Sequence, residues 1–270
     1  MIAAILLAAA VETAHGTWNI TMGKSEMVLE TRWHSDDYRH EEDNGRAVDP
    51  NAVGIAAALK SSGQHATFTI HRDAGDLVFD GWFGNGTGAG NFTYTPNEAF
   101  FTALQKRGYA VDGIAEEMSF ATLDVSNDYI SSLEGLGYKT DARGLRELRS
   151  MNVTPEYITQ MRAAGITADD ARSLTEMKAV GVAPDYVRTM KSAGLQNLDR
   201  RSLVELKSMN VTPAFISEIA QAGYPHLTAR EYVELKSMNI DAAYIRSLAN
   251  HGLKDLTIRR IVELKSMGVN

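Results

Sequence analysis

The sequence predicts an α+β protein: an N-terminal antiparallel β-meander domain followed by an α-helical solenoid of 29-residue two-helix repeats. Two observations predict the solenoid. VELKSMN stands at 204–210 and again at 233–239. The related phrases ELRSMNV (147–153), EMKAVGV (176–182), ELKSMNV (205–211), ELKSMNI (234–240) and ELKSMGV (263–269) place Glu147, Glu176, Glu205, Glu234 and Glu263 at a constant spacing of 29. A third observation predicts the sheet. Residues 17–95 alternate apolar and polar positions, as in TWNITM and MVLETRW, which is the period of a half-buried strand.

In the front segment, ATFTIHRDAGDLVFDGWF reads as strand, turn at Asp73–Gly75, strand, and NFTYT as one more, for about five strands in all. The run Gly84, Gly86, Gly88, Gly90 leads into a strand pattern and has no following helix or lysine, so it reads as a hairpin turn and not a phosphate loop. HSDDYRHEEDNGRAVDP (34–50) reads as a long acidic loop, followed by a short helix from Asn51 to Lys60 with Asp49 as cap. TPNEAFFTALQKRGY (95–109) is a helix joining the two parts. The expected organisation is 1–16 signal peptide or N-terminal segment, 17–95 β domain, 96–117 connecting helix and 118–270 repeat array.

Each repeat reads as two short helices. The first opens at Asp141, Asp170, Asp199, Thr228 or Thr257, whose side-chain oxygen can accept an unpaired backbone N–H, and TARE (228–231) is a capping-box pattern. Leu203, Leu206 and Met209 follow at helical spacing, and NVTP stops the helix. Thr154 and Thr212 cap the second helix, with Pro155 and Pro213 at its first position, where a missing N–H costs nothing. That helix carries Tyr157, Tyr186, Phe215 or Tyr244 and ends at Gly165, Gly194, Gly223 or Gly252, suited to a left-handed C′ residue. A helix pair this short cannot bury its own apolar face, but stacked copies can. LDVSNDYISSLEGLGY (123–138) is a degenerate first copy, 28 residues upstream of its match.

Composition narrows the function. The chain has no cysteine, which excludes disulfides, thiolate metal sites and a Cys nucleophile. Residues 1–132 hold 8 Lys and Arg against 18 Asp and Glu, and residues 133–270 hold 19 against 16. That is not the basic surface of a nucleic-acid binder. Ile2 to Val11 is an apolar run with the length of a signal-peptide core and Ala8-x-Ala10 at its end, so export to the periplasm or medium is expected, or the cytoplasm if residues 1–10 are not a signal peptide. No stretch is long enough to span a bilayer.

HRDAGDLVFDGWFGNGTGAGNFTYTPNEAF, followed by units of the VTPEYI…MRAAGI type, resembles a group of bacterial exported proteins with a β domain and such repeats. Similar helical units trail membrane metallopeptidases of the β-lactam-sensor type. The resemblance covers roughly residues 66–270 and implies export and fold, not an activity. The peptidase part is absent: HEEDN (40–44) does not match HExxH.

Three chemical candidates remain. His34, Asp36, Asp37, His40, Glu41, Glu42 and Asp43 are metal-ligand types, but without fixed spacing they read as a solvated loop; no metal or other cofactor is implied. Arg143 and Glu147 stand four apart and recur with the repeat, which suits a ladder of ion pairs contributing ~0.2–0.5 kcal/mol each. The position before each Glu holds Val204, Val233 and Val262 in the last three copies. It lies roughly 160° from the centre of the apolar face and should point outward. That apolar strip, with the Lys207, Lys236 and Lys265 flank, is the expected partner surface. No catalytic constellation is visible, and a non-enzymatic exported binding or scaffold protein, engaging another protein or a peptide, is the expected function. The rivals are a sensory or regulatory module of a membrane metallopeptidase and a metal-dependent or carbohydrate-active enzyme built on the β domain.

Overall fold

A computed structural model describes residues 13–22, 26–35, 38–167 and 170–269. Residues 1–10, the candidate signal segment, lie outside the described residues. The chain forms two compact units. The first runs to Glu134 and includes Thr140–Ser150; the second comprises Gly135–Lys139 and the chain from Met151 onward.

The first unit holds a curled antiparallel sheet. Its strands are β1 (Ala14–Met22), β2 (Met27–Ser35), β3 (Tyr38–Val48), β4 (Gln64–Arg72), β5 (Gly75–Gly84) and β6 (Thr87–Pro96), in the order β3-β2-β1-β6-β5-β4. One meander would have set β3 beside β4. Instead two meanders join through their first and last strands, Ala14 facing Tyr94 and Trp18 facing Gly90, so β3 and β4 become the two edges. The acidic segment, expected as a loop, is largely strand: Arg32 pairs with Asp43 and Trp33 with Glu42. Charge is compatible with a strand at a sheet edge, where it discourages pairing with another chain. The short helix is reduced to a turn and α1 (Ala56–Leu59), with Asp49 accepting from the Asn51 amide at 2.9 Å.

Alternation along β5 puts Leu77, Phe79 and Phe83 inside and Asp76, Asp80 and Trp82 outside. The buried rings cluster: Phe68 stacks on Phe79 at 4.6 Å, and Trp18 meets Phe68 edge-on at 5.6 Å. The Trp18 indole N–H donates to the Asn91 carbonyl at 3.0 Å, so the ring lies across β5 and β6. This packing accounts for Gly81, ahead of the glycine run, and for Gly88 within it. A Cβ at Gly81 would sit 2.7 Å from the Trp18 ring, and one at Gly88 would sit 2.6 Å from Phe83. The hairpin itself turns at Asn85–Gly86, both at positive φ, as a two-residue turn requires.

Residues 96–117 contain α2 (Glu98–Lys106), capped by Asn97, and the first part of α3 (Gly113–Leu123). This is a break, not one connecting helix. α3 packs on β1, β5 and β6, which accounts for the burial of Met118 through Leu123. α4 (Asn127–Gly135) and α5 (Ala142–Ser150) follow; Arg107 and Tyr109 both bind Glu134, at 2.8 and 3.0 Å.

The second unit is helical: α6 (Pro155–Ala163), α7 (Ala171–Ala179), α8 (Pro184–Ser192), α9 (Arg200–Ser208), α10 (Pro213–Gln221), α11 (Ala229–Ser237), α12 (Ala242–Asn250) and α13 (Ile258–Ser266). α7 packs on α9, α9 on α11 and α11 on α13, while α6 packs on α8 and α10 on α12. The expected caps are in place. Asp170 and Asp199 each accept from the serine amide three residues on at 2.8 Å, and Thr228 and Glu231 form the capping box. No helix among the described residues is long and apolar enough to cross a membrane.

Candidate functional site

The helices α7, α9, α11 and α13 each bury one apolar stripe: Leu174 and Met177, Leu203 and Leu206, Tyr232 and Leu235, Ile261 and Leu264. Each ends in a left-handed residue: Gly181, Asn210, Asn239 and Gly268, with φ between 50° and 78°. Asn takes this conformation more readily than other residues with a Cβ. The sequence showed NVTP as a helix stop without showing that the Asn itself makes the turn.

The basic and aromatic positions meet. Lys178 Nζ lies 4.6 Å from the Tyr157 ring centre, Lys207 4.6 Å from Tyr186, Lys236 4.3 Å from Phe215 and Lys265 4.3 Å from Tyr244. In each case the lysine comes 21 residues after the ring. Each contact is a cation–π interaction worth ~0.5–1 kcal/mol where exposed and more where dry. The tyrosine hydroxyls extend the pattern. Tyr157 donates to the Val182 carbonyl at 2.8 Å, Tyr186 to Val211 at 3.2 Å and Tyr244 to Val269 at 2.7 Å. Burial pushes the Tyr157 and Tyr186 phenols up to about 12, so both are fixed proton donors at neutral pH. Ring and ammonium meet in all four places, and the hydroxyl adds a third tie at Tyr157, Tyr186 and Tyr244.

The Arg–Glu positions pair in part. Arg143 binds Glu147 at 2.9 Å, Arg201 binds Glu205 at 2.8 Å and Arg259 binds Glu263 at 3.3 Å, whereas Glu176 pairs with Arg200. All these pairs are solvated, and their contribution is small.

Val204, Val233 and Val262 are half-buried, not fully outward. α9, which carries Val204, packs on α7 and α11, and α11, which carries Val233, packs on α9 and α13. Each valine precedes a half-buried lysine by three residues, so Val204 and Lys207, Val233 and Lys236, and Val262 and Lys265 are neighbours on one helix face. The lysines are held over rings instead of extending freely. The surface they make is a strip of partly covered valine edges and lysine stems.

The acidic segment offers less. His34 lies in β2 and His40 through Asp43 in β3, while Asp36 and Asp37 fall outside the described residues. Among the described residues no cluster of three His, Asp or Glu side chains is placed to hold a metal. Comparison with family models, curated proteins and solved structures finds no match for this chain.

Proposed function

We propose that this chain is a non-enzymatic, exported binding or scaffold protein. In this reading its helices form a solenoid of 29-residue two-helix units, and the Val204–Val233–Val262 strip with its Lys207, Lys236 and Lys265 flank holds another protein or a peptide. The observation that carries the reading is the recurrence of one contact: a lysine over an aromatic ring, at the same sequence separation, in successive helix pairs. Contacts repeated in register keep the outer face in register too, and solenoids use such extended faces for binding. Export is supported by the apolar run Ile2–Val11.

The test is site-specific photo-crosslinking in the native compartment. The full chain carries the photoreactive residue at Val233 or, as control, at Thr159, which is exposed on α6. A discrete adduct from Val233 and none from Thr159 is the expected result. Equal labelling from both positions, or none from Val233, overturns the assignment of the surface.

A further inference from the structure

The first unit contains a feature that the helical array does not use. Both edge strands, β3 and β4, contribute to the wall of one cavity of about 260 Å³, closed on one side by the end of α3. Leu29, Ile70, Leu77 and Phe79 give it an apolar floor, and Arg46 and Arg72 reach it from the two edges. Asp124 is the one carboxylate among the described residues that line it.

Among the described residues the charges there do not balance. Arg149 donates to the Leu123 and Asp124 carbonyls at 3.1 and 2.9 Å and to the Asp124 carboxylate at 2.8 Å. That one residue already caps the C-terminal end of α3 and pairs its acid. Arg46 also donates to the Leu123 carbonyl, and Arg72 Nε stands 3.4 Å from Asp124, buried and without a hydrogen bond. A guanidinium carries five N–H donors, so most of those on Arg46 and Arg72 are surplus to the helix cap. Burial lowers the Arg46 pKa to about 10; the neighbouring Arg149 and Arg72 charges add to the effect and Asp124 offsets part of it. Among the described residues, three guanidinium groups thus share one carboxylate and the negative end of a helix.

We propose that this cavity binds a small organic anion with an apolar body and a single carboxylate head, the head seated between Arg46 and Arg72 and the body on Leu29, Ile70, Leu77 and Phe79. The guanidinium fork suits a carboxylate in two-point contact. The volume is just under the ~300–1,000 Å³ of sites for drug-sized ligands, which limits the body to a short chain or a single ring.

The test uses the isotope-labelled full chain and octanoate, with octan-1-ol, octylammonium and inorganic phosphate as comparisons. Octanoate is expected to give saturable shifts in the backbone amides of Thr31, Ala47, Ala121 and Thr122. The alcohol and the amine should bind at least about tenfold more weakly, since each lacks the charge that pairs with arginine. Phosphate, lacking the apolar body, should give no saturable shift. Arg72→Gln should lower octanoate affinity by a similar factor, with Arg72→Lys intermediate. The proposal is overturned if octanoate leaves those amides unmoved up to about 10 mM, if octanol or phosphate binds equally well, or if folded Arg72→Gln binds like the parent. Should Arg72→Gln not fold, the amide map and the octanol comparison decide on the parent chain alone.

Discussion

Phe215 interrupts a row of tyrosines, and restoring the row tests the packing of the array. Tyr157, Tyr186 and Tyr244 each donate to the carbonyl 25 residues later, at 2.7–3.2 Å. The corresponding carbonyl for Phe215 belongs to Ile240, and both residues are buried, at 6% and 1% exposure. Phe215→Tyr adds a hydroxyl to a ring that already lies beneath Lys236. If successive helix pairs are equivalent, the hydroxyl finds the Ile240 carbonyl and the net gain is ~0.5–1.5 kcal/mol. If they are not, a hydroxyl is buried without a partner, at a cost of ~1–3 kcal/mol. The sign therefore decides. Tyr186→Phe, the reverse change one pair earlier, should lose ~1 kcal/mol. Urea unfolding of the full chain followed by circular dichroism reads both. Destabilisation by Phe215→Tyr, or no effect of Tyr186→Phe, refutes the equivalence.

Lys236→Met keeps the apolar stem and removes the cation over Phe215, and should cost ~0.5–1 kcal/mol; no change would assign the lysine to solvent. Val233→Ser, at a half-buried position, should destabilise by ~0.5–1.5 kcal/mol, read by the same unfolding curve; a loss as large as that of a full core deletion, ~2 kcal/mol or more, would place it in the core. The Asp170 and Asp199 carboxyls are held below their usual range, first by the Ser173 and Ser202 side chains and then by the backbone amides. Their stabilisation is thus complete above the unfolded value of ~3.9 and is lost as pH falls through the lower folded value. Asp199→Asn, which can still cap but does not titrate, should flatten the acid limb of stability against pH; an unchanged limb would contradict the assignment.

The helices of the second unit were legible because each is specified locally. The caps Asp199 and Thr228 and the apolar pairs Leu203 and Leu206 all lie within a few residues of the structure they control. Their meeting partners were harder to see. Lys207 and Tyr186 were both visible as repeated positions, but the contact between them depends on how one helix pair packs on the next. The half-burial of Val233 was hidden too, since a helical wheel places a residue relative to its own helix only. In the sheet, the sequence showed β1, β2, β4, β5 and β6 as strands, but pairing of β1 with β6 is a long-range choice that no short pattern encodes. The acidic strand β3 escaped because composition suggested solvent, and at a sheet edge a charged residue can be both solvated and in strand. The arginine cavity was invisible for a related reason: Arg46, Arg72, Asp124 and Arg149 come from four distant elements of the first unit.

Removing one repeat tests the stacked-unit architecture most directly. Deletion of residues 200–228 takes out α9 and α10 and joins Asp199 to Ala229. Asp199 would then cap α11 with Glu231 at the third helical position, and Lys236 would stand 21 residues after Tyr186, in place of Lys207. A stack of equivalent units should survive as a shorter array, with helicity per residue retained and cooperative unfolding at somewhat lower denaturant, because stability in such arrays is roughly a sum of units and nearest-neighbour contacts. Deletion of 204–228, out of register, should not survive. Loss of folded structure in the in-register deletion, or equal behaviour of the two deletions, would contradict the repeat architecture on which the proposed binding surface rests.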